Sequence, residues 1–115
     1  MSKFTVSVNM SKKDYNIKSN DHPYQILTNA WARCFQEHVK GYVDRENISL
    51  NCKFTVEKFQ DFEDHDKEIK SLSVSFSGKD FSKKDKKVIS NIVKVCDIYQ
   101  ILQRSCDKPL TIKFV

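Results

Sequence analysis

The stretch SLSVSFSG, residues 71–78, alternates a serine with a large apolar residue. A period of two places Leu72, Val74 and Phe76 on one side of a β-strand and the serines on the other. A sheet of such strands has one apolar face that must be covered and one polar face that can stay in contact with water. The pattern therefore predicts a two-layer fold, in which helices cover one side of an antiparallel sheet.

Three other segments alternate in the same way, over residues 3–10, 48–59 and 110–115. Two amphipathic segments, residues 22–43 and 81–106, are predicted to be helices, and Ser82 and Asp85 have capping-box spacing at the start of the second. The predicted inner face of the first helix carries Leu27, Ala30, Trp31, Cys34, Phe35, His38 and Tyr42. The predicted inner face of the second carries Val88, Ile92, Val95, Cys96, Tyr99 and Leu102.

The element order β-α-β-β-α-β is that of the ferredoxin-like fold. Right-handed crossovers would place both helices on one face of a four-stranded antiparallel sheet with strand order 4-1-3-2. All 115 residues are expected to form a single α+β domain, residues 1–115. The predicted edge strands, 48–59 and 110–115, could each pair with a second copy of the chain, so a homodimer is compatible with this topology.

Composition limits the function. The net charge is +5, and it comes from 17 lysines and three arginines, which favours non-specific attraction to anions over reading of a base sequence. No apolar run is long enough to span a membrane, and the N-terminal residues lack the apolar core of a signal peptide, which predicts an intracellular, cytoplasmic protein. The four cysteines form no CxxC motif and are predicted to be reduced thiols.

The sequence favours none of three kinds of chemistry: thiol catalysis, metal binding and phosphate binding by a glycine-rich loop. Cys34 and His38 lie one helical turn apart, but both fall on the predicted inner face, which favours a buried thiol and a packed imidazole. His22 and His65 could meet at one pole of the fold, but no recognised metal-binding spacing supports a site there. With two glycines, the chain cannot form a glycine-rich phosphate loop. We therefore expect no catalytic residue, metal or cofactor.

The predicted partner-binding surface lies at the start of the second helix. Lysines are unfavourable at a helix N-terminus unless an anion binds there. Val93 and Ile101 are predicted to face outward from the same helix, and the serine face of the sheet offers a second surface for close approach. The predicted binding residues are Lys79, Lys83, Lys84, Lys86, Lys87, Val93, Ile101, Arg104, Ser73 and Ser75.

These features predict a small non-enzymatic binding protein with an acidic protein partner, of the kind that phages and viruses use as inhibitors or accessory factors. Two alternatives remain open. The first is a nucleic-acid-binding protein that uses lysine-to-phosphate contacts and ignores sequence. The second is a small metal-dependent enzyme at the pole that carries His22 and His65.

Overall fold

The computed structural model describes residues 3–10, 22–59 and 67–115. The elements in chain order are β1 (Lys3–Met10), α1 (Pro23–Glu46), β2 (Leu50–Lys58), β3 (Ile69–Ser77), α2 (Lys83–Val95), α3 (Asp97–Arg104) and β4 (Thr111–Phe114). Each predicted strand is present with its ends within two residues of the predicted bounds. The predicted second helix is two helices, α2 and α3.

The four strands form one mixed sheet in the order β1-β2-β3-β4. β1 and β2 pair antiparallel, as do β2 and β3, so that Phe54 lies opposite both Val6 and Val74. β3 and β4 pair parallel, with Val74 opposite Ile112. The predicted ferredoxin-like, purely antiparallel order 4-1-3-2 is therefore wrong. β2 (Leu50–Lys58), which was predicted to be an edge strand, is a central strand.

The direction of α1 explains why β2 pairs with β1. In a ferredoxin-like fold the first helix begins near the end of β1 and returns the chain, so that β2 enters parallel to β1. Here α1 begins beside the start of β1: the His22 ring lies 4.4 Å from the Phe4 ring, and Gln25 Nε2 donates to the Thr5 carbonyl at 3.1 Å. The helix thus runs in the same direction as β1. β2 then starts beside the end of β1, with Leu50 opposite Met10, and pairs with it directly.

The core lies between the helices and the apolar face of the sheet. Leu72, Val74 and Phe76 are buried, as the alternation predicts, while the four serines between and beside them are half-buried on the opposite face. Phe54 lies at the centre and is fully buried. Its ring centroid is 4.9 Å from that of Trp31 and 5.6 Å from that of Phe35. α1 is therefore fixed on the middle of the sheet by aromatic contacts.

The buried face of α1 differs from the predicted one. Val39 and Val43, which the predicted face omits, are fully buried, because the core-facing stripe follows i, i+4 steps from Trp31 through Phe35. Leu27 is 38% exposed, and His38 is also exposed, although both were predicted to face inward. Thr28 and Asn29 are buried in their place.

The helical conformation is interrupted between α2 and α3 at Cys96, whose backbone is extended with φ −64° and ψ 128°. In a continuous helix the residues that face the core follow one periodic pattern over the whole length. In two helices joined by an extended residue, each helix can turn a different set of residues to the core. Val93, predicted to face outward, is fully buried, and Val95, predicted to face inward, is 59% exposed. Ile101 is exposed, as predicted.

Candidate active site

Cys34 lies on α1 at the border of the buried face. Its neighbours Trp31, one turn earlier, and Phe35, the next residue, are both fully buried. Cys34 itself is half-buried and carries a free thiol. The first helix therefore holds this sulfur rigidly, at the edge of the core and with part of the residue open to solvent.

Cys96 occupies the extended residue between α2 and α3, where it is the N-terminal cap of α3. The residue is fully buried. Its carbonyl accepts a hydrogen bond from the Gln100 N–H at 3.1 Å, and its own N–H donates to the Val93 carbonyl at 3.4 Å. Both helices thus fix its backbone. The Cys96 side chain lies in the core, as the predicted inner face requires, whereas the break in the helix was not predicted.

The Cys96 thiol lies close enough to the Cys34 sulfur to interact with it. Burial, and secondly the interaction with Cys34, raise the pKa of the Cys96 thiol to about 12, against the opposing effect of the backbone N–H groups of Tyr99 and Ile98. Cys96 is therefore a protonated thiol at neutral pH. The structure thus brings together two sulfurs that are far apart in the sequence, one half-buried and one buried.

An aromatic pair lies beside the thiol pair and joins the same two helices. Trp31 and Tyr99 stack with their ring centroids 6.2 Å apart. Trp31 precedes Cys34 by three residues, and Tyr99 follows Cys96 by three, so each aromatic residue lies one helical turn from a cysteine. α1 and α3 therefore contact each other through the Trp31–Tyr99 pair as well as through the two cysteines.

His38 lies one turn after Cys34 on the exposed side of α1. Its Nδ1 is 2.7 Å from the carbonyl oxygen of Cys34 and 3.9 Å from the Cys34 sulfur. The predicted interpretation of this pair as a packed imidazole and a buried thiol is wrong, because His38 is exposed and Cys34 is half-buried.

The other two cysteines are free thiols at other places in the fold. Cys52 lies on β2 opposite Val8 and Phe76 and is buried, and burial raises the pKa of its thiol. Cys106 is buried after α3, and its sulfur donates to the Lys108 carbonyl at 3.5 Å.

The predicted lysine surface is partly neutralised within the chain. Lys79 Nζ lies 2.8 Å from Asp85 Oδ2, and Lys84 Nζ lies 3.0 Å from Glu46 Oε1. Asp85 is buried, and it also accepts from the Tyr42 hydroxyl and from the Ser82 N–H, so that the start of α2 is held against α1. Hydrogen bonds from Lys79 and then Tyr42 hold the pKa of Asp85 well below its usual range.

The remaining predicted binding residues differ in how far they are exposed to solvent. Val93 is buried and is not available to a partner. Ser73 and Ser75 are half-buried on the open face of the sheet. The exposed members of the predicted set are Lys83, Lys84, Lys86, Lys87, Ile101 and Arg104. Their role in binding stays a prediction.

The predicted metal pole is only partly within the described residues. His22 packs against Phe4, and its Nδ1 accepts from the Tyr24 N–H at 3.2 Å, whereas His65 lies outside the described ranges. Among residues 3–10, 22–59 and 67–115 there is no group of three or more histidine, cysteine, aspartate or glutamate side chains that could hold a metal ion. No helix in these ranges is long and apolar enough to cross a membrane.

The fold is that of the OsmC and Ohr proteins. A structure from Psychrobacter arcticus 273-4, described as an osmotic stress induced and detoxification response protein, matches with a TM-score of 0.61 and 10% identity over 99% of this chain and 88% of that chain. An organic hydroperoxide resistance protein OsmC from Legionella pneumophila matches with a TM-score of 0.51 and 12% identity, over 95% and 96% of the two chains. The organic hydroperoxide resistance protein OhrB of Bacillus subtilis matches with a TM-score of 0.51 and 14% identity, over 85% and 73%. No family model and no curated protein matches the sequence.

This comparison contradicts the predicted function. The proteins that share the fold are described as stress-response and organic hydroperoxide resistance proteins, and none of the three is described as an inhibitor or a nucleic-acid-binding protein. The predicted non-enzymatic binding protein, the phage or viral accessory factor and the nucleic-acid-binding alternative are therefore wrong. At this level of identity the likeness concerns the fold, so the chemistry of this chain has to be argued from its own residues.

Proposed function

We propose that the protein is a two-cysteine thiol peroxidase that reduces organic hydroperoxides. The observation that carries the proposal is the contact between Cys34 and Cys96, two free thiols on different helices, one of which is half-buried. The likeness to organic hydroperoxide resistance proteins supports this substrate class. A cytoplasmic location, where free thiols persist, is part of the proposal.

The environments of the two sulfurs assign their roles. A thiolate is the nucleophile in thiol chemistry, and it must be accessible to its substrate. Cys96 is fully buried and its pKa is raised to about 12, so it is protonated and shielded. Cys34 is half-buried and is therefore the more accessible of the two sulfurs. Cys34 is therefore the attacking thiolate, and Cys96 is the resolving thiol.

The reaction then proceeds in two steps. The Cys34 thiolate attacks the terminal oxygen of the hydroperoxide: the sulfur–oxygen bond forms, the oxygen–oxygen bond breaks, and the alkoxide takes up a proton and leaves as an alcohol. The Cys96 sulfur next attacks the sulfenic acid on Cys34, forming a disulfide, while the hydroxyl leaves with a proton as water. An external dithiol returns two electrons and restores both thiols.

Single-cysteine variants test the proposal. With cumene hydroperoxide and dithiothreitol as the reductant, Cys34→Ser is expected to abolish hydroperoxide consumption. Cys96→Ser is expected to leave a sulfenic acid on Cys34 that dimedone labels, because the resolving thiol is missing. Cys52→Ala is the matched control, since Cys52 is also buried but lies on β2. Consumption by Cys34→Ser at the parent rate would refute the proposal.

A further inference from the structure

The contact between His38 and Cys34 suggests a role for the imidazole in this site. A carbonyl oxygen can only accept a hydrogen bond, so the 2.7 Å contact with the Cys34 carbonyl requires a proton on Nδ1. The same Nδ1 lies 3.9 Å from the Cys34 sulfur. The Nδ1–H therefore donates to the carbonyl oxygen, and the sulfur lies near the same nitrogen as a second, more distant acceptor. In this tautomer Nδ1 cannot take a proton from the thiol, which excludes a role as the direct base at that atom.

We propose that His38 is a positioning residue that stabilises the Cys34 thiolate by sharing its Nδ1–H between the carbonyl oxygen and the sulfur of Cys34. This inference rests on the proposed role of Cys34 as the nucleophile. The carbonyl holds the ring in place from one turn away, and the negative sulfur provides the second acceptor. A hydrogen bond to a charged acceptor is stronger than one to a neutral group, so the contact favours the thiolate over the thiol.

The position of His38 suits this role. The imidazole lies on the exposed side of α1, so it can orient beside Cys34 without disturbing the core. Cys96, in contrast, is fully buried. His38 would thus provide a hydrogen-bond donor to the thiolate from an exposed position, while Cys96 interacts with the same sulfur from a buried one.

The test measures the reactivity of Cys34 without any hydroperoxide. Reduced protein is treated with iodoacetamide at pH 7, and peptide mass spectrometry follows the alkylation of Cys34. His38→Leu, which has no donor, is expected to slow this alkylation roughly 3- to 10-fold, because a long hydrogen bond in partial contact with water contributes less than a buried one. His38→Gln keeps an N–H donor at the same place and should restore the rate to within about twofold of the parent.

His22→Leu is the matched control, because His22 is the other exposed histidine of the described residues and contacts Phe4 instead. Its alkylation rate should equal that of the parent. Thiolate ultraviolet absorbance should fall in His38→Leu and stay unchanged in His22→Leu. Alkylation of Cys34 in His38→Leu at the parent rate, or equally slow alkylation in His38→Gln, would overturn the inference. If the hydroperoxide assay fails while these rates behave as expected, the proposed function is wrong and the role of His38 remains.

Discussion

Removing the Tyr42 hydroxyl tests how strongly α1 and α2 are joined outside the thiol site. Tyr42→Phe keeps the ring and deletes the donor to Asp85, in a place where Tyr42 is 4% exposed and Asp85 7% exposed. Asp85 would keep two donors, the Lys79 ammonium at 2.8 Å and the Ser82 N–H at 3.3 Å. The carboxylate therefore remains partly satisfied after the substitution.

The magnitude follows from burial. A buried hydrogen bond to a charged group contributes about 1.5–3 kcal/mol, and the two remaining donors place this one near the lower end, at about 2 kcal/mol. Tyr24→Phe is the matched control, because the Tyr24 hydroxyl also donates to a carboxylate, Glu68 Oε2, at 2.9 Å, but in an exposed position. Water replaces that hydrogen bond, so the loss there should be less than about 0.5 kcal/mol.

Urea denaturation of the parent and the two variants measures both losses in the free energy of unfolding. We expect Tyr42→Phe to lose clearly more than Tyr24→Phe, with equal denaturant slopes for all three proteins. An equal loss in the two variants would mean that burial does not strengthen the Tyr42–Asp85 contact, and the reasoning would be refuted.

Three further predictions use the same measurement. The pKa of Asp85 is lowered on folding, chiefly by the hydrogen bond from Lys79. The contribution of Asp85 to the free energy of unfolding is therefore complete above the ordinary aspartate pKa of about 4 and is lost as the pH falls below it. Asp85→Asn should lose less stability than the parent between about pH 4 and pH 2, and an equal loss would contradict this. Gly78→Ala should lower the free energy of unfolding by about 1–2 kcal/mol, because φ is +108° and the new Cβ would meet Asn51 Nδ2 at 3.0 Å. Gly41→Ala is the matched control: its new Cβ would meet nothing within 4 Å, so it should stabilise α1 by up to about 1 kcal/mol. Phe54→Ala should lower the free energy of unfolding by about 3–5 kcal/mol, because Phe54 lies at the centre of the core, and Ile101→Ala should lower it by less than about 0.5 kcal/mol, because Ile101 is exposed. Similar losses in the two variants would mean that the core is placed wrongly.

The strands could be predicted because, in a strand with one covered face, the alternation of apolar and polar residues decides which side chains face the core. Leu72, Val74 and Phe76 are buried and the adjacent serines are not, as the period of two requires. The same alternation fits a parallel or an antiparallel neighbour equally well, so it carries no information on strand order. The pairing of β2 with β1 depends on where α1 begins relative to β1, and the contact of His22 with Phe4 at that point follows no pattern in the sequence.

The helix faces were predicted less well, for two separate reasons. In α1 the apolar residues extend around more than half of the helix, so that the periodicity admits two phases, and the burial of Val39 and Val43 selects between them. In α2 the extended backbone at Cys96 resets the phase, which moved Val93 from the predicted outer face to the core. No glycine or proline marks this break, so composition gave no signal.

The thiol pair was missed although a signal for it was present. Cys34 and Cys96 were both placed on inner faces of helices that cover the same sheet, and two such stripes can meet across the helix interface. The absence of a CxxC motif does not exclude a redox pair, because such a pair needs proximity in space and not in sequence.

The most direct test of the account is the identity of the disulfide that a hydroperoxide produces. Reduced protein is treated with a stoichiometric amount of cumene hydroperoxide, the remaining thiols are alkylated, and the peptides are mapped without reduction. The account predicts one cross-link, between the peptides that carry Cys34 and Cys96, with Cys52 and Cys106 still in the thiol form. A cross-link involving Cys52 or Cys106, or no cross-link at all, would contradict it.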